Sequence, residues 1–126
     1  MNYLSTNDAP LAIGPYSQGV ASGSFIFTSG QVPLDPATAS LVEGDFEVST
    51  RRVFENLRAV LHSAGATFDN VVKVTVYLSD MNSFNVLNSV YSEYMGAHKP
   101  ARTTVEVAAL PLGAPVEIDM IAILEG

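Results

Sequence analysis

Arg102 is the residue whose type and place most directly suggest chemistry. Three of the four arginines, Arg51, Arg52 and Arg58, fall in one helical stretch, whereas Arg102 follows Pro100-Ala101 and opens an apolar strand segment. A guanidinium at the mouth of such a strand presents a planar fork of donors suited to gripping a carboxylate; a salt bridge at a strand end is the other reading. Glu117 stands second, entering the run Val116, Ile118, Met120, Ile121, Ala122, Ile123. A carboxylate drawn into apolar surroundings has a raised pKa and can act as a general acid or base. Asp119 shares its face, so an exposed acidic edge is the alternative. Asn88 lies four residues after Phe84, on or beside the inner side of a presumed helix, where an amide must find a partner. Tyr16, in Gly14-Pro15-Tyr16-Ser17, sits in a loop able to hold a phenol over a pocket. Ser29-Gly30 ends a strand, where glycine lets another group approach the backbone closely.

Other chemistries find no foothold. The chain has no cysteine, hence no thiolate nucleophile, disulfide or Cys-ligated metal. His62 and His98 are too far apart in sequence to read as a metal pair, and neither a phosphate-binding glycine loop nor a G-x-S-x-G elbow is present. No metal site is therefore expected, and no nucleotide-cofactor fingerprint is read. No apolar run approaches the roughly 18 residues of a membrane span. The opening Met1-Asn2-Tyr3-Leu4-Ser5-Thr6 lacks the basic and apolar parts of a signal peptide, so a cytoplasmic location is expected. Thirteen acidic against six basic residues give a net charge of -7, which disfavours nucleic acid as a partner.

The elements that must position these residues follow from periodicity. With 126 residues, one domain spanning 1–126 is expected. Residues 17–31 read as two short strands around Ser22-Gly23-Ser24, the second being 25–29; residues 32–44 read as loop with one short strand at most. From Asp45 to Ala64 the period is helical: Val53, Leu57, Val60, Leu61 and Ala64 form one stripe, Asp45 is a candidate N-cap and Gly65 a left-handed terminator. Val71 to Leu78 is β-branched and aromatic almost throughout, as in a strand covered on both faces. Asp80 or Asn82 can cap a second helix with the inner face Phe84, Leu87, Tyr91, Tyr94 and Met95, closed by residues 96–100. Strands 102–109 and 116–124 follow. This order implies an α+β or α/β sandwich, with at least part of the sheet parallel or mixed and both helices on one face.

If 110–115 is a simple hairpin loop, Arg102 faces Ile123 and Glu117 faces Ala108, leaving the two charges roughly 20 Å apart. A shared site then has to lie between subunits. Composition points the same way: only 15% of residues are charged and 48% are hydrophobic in a chain small enough to leave much surface exposed when alone, a hint that some of it is covered by another copy.

Together these segments resemble the RidA/YjgF family of imine and enamine deaminases, nearly end to end. The resemblance runs through Gly14-Pro15-Tyr16-Ser17, Ser29-Gly30-Gln31-Val32-Pro33, Asn56-Leu57 and residues 72–78. It is densest in Pro100-Ala101-Arg102-Thr103-Thr104-Val105-Glu106-Val107, then Leu110-Pro111 and Val116-Glu117-Ile118. It implies a chorismate-mutase-like two-layer sandwich forming a homotrimer with ligand sites between neighbouring subunits. It also implies cofactor-free hydrolysis of 2-iminobutanoate or 2-iminopropanoate, released by pyridoxal-phosphate enzymes, to 2-oxo acids and ammonia. Within it, Arg102 would clamp the substrate carboxylate, Glu117 would orient or activate water, and Tyr16, Ser29, Gly30 and Asn88 would line the pocket. Thr104 stands where many relatives carry cysteine. A 3-aminoacrylate deaminase of pyrimidine degradation, and a non-catalytic, chaperone-like trimer that binds small carboxylates, are the alternatives.

Overall fold

The computed structural model describes residues 1–125. In chain order the elements are β1 (Asn2–Leu4), β2 (Gly19–Ser22), β3 (Phe25–Thr28), a small pair β4 (Leu34–Asp35) and β5 (Ser40–Leu41), α1 (Phe46–Ser63), β6 (Val71–Leu78), α2 (Phe84–Met95), β7 (Ala101–Glu106) and β8 (Val116–Ile123). The main sheet has the order β1-β2-β3-β8-β6-β7, antiparallel except for the parallel pair β6–β7. Both helices pack on one face, making the α+β two-layer sandwich that the resemblance implies and one of the two classes that the element order allows.

Local chemistry explains the helix ends. The Asp45 carboxylate accepts from the Val48 amide at 3.0 Å, and Gly65 at φ +82° takes the left-handed conformation that stops α1. Asp80 is the residue that caps, accepting from the Asn82 amide at 2.9 Å, but it opens a 3₁₀ turn at Met81–Ser83 that leads into α2. The stripe of α1 forms the core with the helix-facing side of the sheet: Val53, Leu57, Val60 and Leu61 meet Val74, Val76, Leu78, Ile118, Met120 and Ala122.

Several expectations need correction. The N-terminal residues form an edge strand, and the loop over 32–44 contains two short strands instead of at most one. Strand β7 ends at Glu106, three residues short of the expected end. The hairpin between the last two strands does not exist. Strand β7 pairs in parallel with β6, and β6 lies between β7 and β8. The physical reason is the β6–α2–β7 unit: a helix crossover returns the chain parallel to the strand it left, so β7 docks beside β6 and β8 must cross to β6's other edge. Nor is β6 covered on both faces within one chain. It is flanked on both edges, while Lys73, Thr75 and Tyr77 point to the side without helices.

That open side is largely apolar. Strand register places Tyr3, Val20, Phe25, Phe27, Ile121, Ile123, Tyr77 and Val105 on it. Tyr3, Phe25, Phe27 and Val105 are exposed. Among the described residues no helix is long and apolar enough to cross a membrane.

Candidate functional site

Arg102 and Glu117 lie on opposite faces of the sheet. Arg102 is level with Val74, and Val74 with Met120, all turned toward the helices. Glu117 is level with Tyr77, and Tyr77 with Val105, all turned away. Two strand spacings and three residues of rise put the two Cα positions roughly 14 Å apart, with the sheet between their side chains. The expected separation of about 20 Å thus rests on a pairing the fold does not use. The conclusion that one protomer cannot bring both groups to one small molecule holds for a different reason, the faces.

On the helix side, Arg102 is held by aromatic rings. Its guanidinium carbon stands 4.7 Å from the Tyr91 ring centre and 5.5 Å from that of Phe84. Among the described residues its guanidinium pairs with no carboxylate; the three ion pairs belong to Arg51 and Arg58. The strand-end salt bridge is therefore overturned, and the edge donors of Arg102 remain available to a ligand. Phe84, Asn88 and Tyr91 stand at i, i+4 and i+7 on α2, so half-buried Asn88 lies between the two clamping rings. Thr104, two residues along β7 on the same face, has its hydroxyl buried with no hydrogen-bond partner, and so does Tyr91. Burial raises the Tyr91 phenol pKa, against the opposing pull of Arg102.

The second cluster gathers around Glu117. Gln31 bridges Ile118 through both backbone bonds, 2.9 and 3.1 Å, which lays Gly30 alongside Glu117. The fit is so close that a Cβ at Gly30 would stand 2.9 Å from the Glu117 carboxyl carbon. Ser29 donates its hydroxyl to the Ser17 carbonyl at 2.5 Å, and its amide donates to the Gln18 carbonyl at 2.9 Å. This ties the strand end to the loop carrying Tyr16. Exposed Tyr16 is braced by the Ile13 amide, which donates to its hydroxyl at 3.4 Å, and by its own amide donating to the Gly14 carbonyl at 2.9 Å. Burial raises the Glu117 pKa, and the nearby Asp119 charge adds to it. Asp119 is itself raised by burial, with Tyr77 and Lys73 opposing. The acidic pair is half-buried, not an exposed edge.

The predicted residues thus divide into two clusters: Arg102, Asn88 and Thr104 at the β7 edge, and Glu117, Gly30, Ser29 and Tyr16 on the other side. Phe84 and Tyr91 were expected only in the core, yet they orient the guanidinium; their spacing around Asn88 was the available signal. Asn56 is a second contributor without an assigned role. It is fully buried and donates to the Val32 and Leu34 carbonyls at 3.3 and 3.0 Å, fixing the segment that carries Gly30 onto α1.

The close packing at Gly30 makes a prediction. Gly30→Ala is expected to push the Glu117 carboxyl out of place; if Glu117 acts on a substrate, kcat/KM should fall by about tenfold or more, a displacement of about 1 Å being costly at a reacting group. Thermal unfolding should change much less. A variant with unchanged kinetics would show that Glu117 does not need its present position.

A sequence profile of the family described as Endoribonuclease L-PSP matches residues 6–124. Among curated proteins, a RutC family protein of Pyrococcus abyssi is 52% identical over 97% of this chain and 96% of its own length. A mouse protein named 2-iminobutanoate/2-iminopropanoate deaminase is 48% identical, over 95% of this chain and 89% of its own. Among solved structures, a candidate endoribonuclease of Thermotoga maritima superposes with a TM-score of 0.98 at 49% identity, covering 100% of this chain and 99% of that one.

Proposed function

From the premise that this chain belongs to the Endoribonuclease L-PSP family, the family of the RidA/YjgF proteins, we propose that it hydrolyses small 2-imino acids, 2-iminobutanoate and 2-iminopropanoate among them, at sites between the subunits of a homotrimer. The observation that carries this reading is an unpaired guanidinium clamped on two rings of one face, with a carboxyl of raised pKa set against Gly30 on the other. Each half-site lacks what the other holds, so two copies complete one site.

A protonated imine is already electrophilic and needs orientation and a held water more than a strong nucleophile. Arg102 binds the substrate carboxylate with its free edge donors, and Asn88 and Thr104 offer polar atoms beside it. Glu117 takes a proton as water oxygen bonds to the imine carbon, giving a carbinolamine. Returning that proton to nitrogen makes ammonia the leaving group, and as the C–N bond breaks the carbinol hydroxyl gives its proton back to Glu117, leaving the 2-oxo acid. Tyr16, Ser29 and Gly30 bound the water side. The mouse relative's name supports this substrate class. The word endoribonuclease in the family description finds less support in the charge distribution. Arg51 pairs with Glu47 and Glu93, Arg58 with Glu55, and Arg52 donates to Asn56, so the arginines of α1 form no free phosphate track.

The direct test couples this protein to a threonine dehydratase with semicarbazide trapping free imine. Addition of the protein should raise 2-oxobutanoate and ammonia release and lower semicarbazone yield. Unchanged partitioning would reject hydrolysis, and retained 2-oxobutanoate binding without turnover would favour the carboxylate-binding alternative. Assembly has its own test. Phe27→Glu, placing a charge on the open apolar face, should convert a trimer to monomers by light scattering and abolish activity together. A fully active monomer would place the whole site within one chain.

A further inference from the structure

We infer that the cleft beside Arg102 is a second anion subsite, and that the protein prefers 2-imino acids carrying a carboxylate on their side chain. The inference rests on the reading of Arg102 as the carboxylate clamp and extends it to substrate choice.

The cleft lies between the C-terminal end of α2 and the start of β7, with Tyr91, Met95, His98, Lys99, Pro100 and Arg102 among its walls. Its volume is about 210 Å³, smaller than the roughly 300 Å³ at which drug-sized pockets begin, so it suits part of a small metabolite. Its charge is the opposite of the molecule's. The chain carries -7 overall, yet the cleft is lined by Arg102 and Lys99, with no aspartate or glutamate among its walls. Arg102 and Lys99 are two of only six basic residues, and neither enters a salt bridge among the described residues. Two cations converging without a counter-ion in an acidic protein create a local positive field that draws a second negative charge.

The geometry is supported from below. Lys99 precedes proline, which holds its backbone extended, so Lys99 and Arg102 stand about 10 Å apart along the chain. Both line the one cleft, so a five-carbon diacid held at Arg102 by one carboxylate has the other within the span of a lysine side chain. The wall beside Lys99 is anchored: His98 hydrogen-bonds the Val71 carbonyl through Nε2 at 2.6 Å, and its amide donates to the Met95 carbonyl at 3.1 Å. The Tyr91 hydroxyl, buried and without a partner, belongs to a residue that both lines the cleft and underlies Arg102. It is the donor that an anion entering here would satisfy.

The test uses the stable 2-oxo products as probes and reads binding by calorimetry. Wild-type protein should bind 2-oxoglutarate about fivefold more tightly than 2-oxobutanoate, the range expected for one partly exposed charge pair. Lys99→Met should erase that difference while leaving 2-oxobutanoate affinity unchanged. Equal affinities in the wild type, or a preference that survives Lys99→Met, overturns the second subsite. If Arg102→Ala fails to weaken 2-oxobutanoate, the carboxylate clamp itself is wrong and the subsite falls with it. If 2-oxobutanoate binding depends on Arg102 but 2-oxoglutarate binds no better, only the subsite is rejected.

Discussion

Replacing Arg102 by alanine is expected to lower kcat/KM for 2-iminobutanoate by about a hundred- to a thousandfold, with the fold intact. A bidentate, charge-assisted grip on a carboxylate contributes about 3–4 kcal/mol, and each 1.4 kcal/mol is one decade in rate. The loss should be large because no carboxylate of the chain shares the guanidinium, so the substrate is its principal anionic partner. Stability should change modestly, since what is removed is stacking on Phe84 and Tyr91 and not a buried ion pair. Arg102→Lys separates charge from shape: lysine keeps the charge but loses the fork and the flat stacking surface, so about one decade at most should return. The measurement is the trapped-imine assay together with 2-oxobutanoate affinity. Full activity in Arg102→Ala would end the proposed mechanism.

Glu117→Gln should be comparably damaging, by about two to three decades in kcat, because the amide is nearly isosteric but takes no proton. The pH dependence carries the sharper signature. Catalysis needs the carboxylate, and burial together with Asp119 holds the Glu117 pKa above the usual glutamate range. The acidic limb of the kcat/KM profile should therefore lie above the roughly 4.3 of an ordinary glutamate. Asp119→Asn removes the charge that adds to this shift and should move the limb toward acid. The stability consequence has the opposite sense. A carboxyl whose folded pKa is raised favours folding while protonated, below its unfolded pKa, and that advantage is lost as pH rises through the folded value. Glu117→Gln should thus unfold at a higher temperature than the parent near neutral pH while being nearly inactive. A limb unmoved by Asp119→Asn would disconnect Glu117 from the rate.

How far the sequence reached depended on the range of the interaction involved. Helix α1 was legible to within one residue at each end because its cap, stripe and terminator are local, as with Asp45, Leu57 and Gly65. The faces of β7 and β8 were legible from alternation, which is why Arg102 fell with Thr104 and Glu117 with Asp119. Strand pairing was not, since nothing within residues 102–124 states that β6 will separate the last two strands; that depends on the α2 crossover. The same gap hid the role of Tyr91, whose spacing on α2 reads as core until β7 is laid beneath it. Conversely, β6 looked doubly covered because its apolar composition reflects the open face, which is apolar across Phe27, Ile121 and Val105 as well.

The placement of Arg102 and Glu117 on opposite sides of one sheet has a genetic consequence. If each site is composed from two protomers, lesions at these positions are complementary instead of additive. An Arg102→Ala chain still donates an intact Glu117, and a Glu117→Gln chain an intact Arg102. In a cell producing both in equal amounts, random assembly pairs the two sound halves at about a quarter of all sites. Two chains that are each nearly inactive alone would then restore activity when produced together, while the doubly substituted chain alone would not.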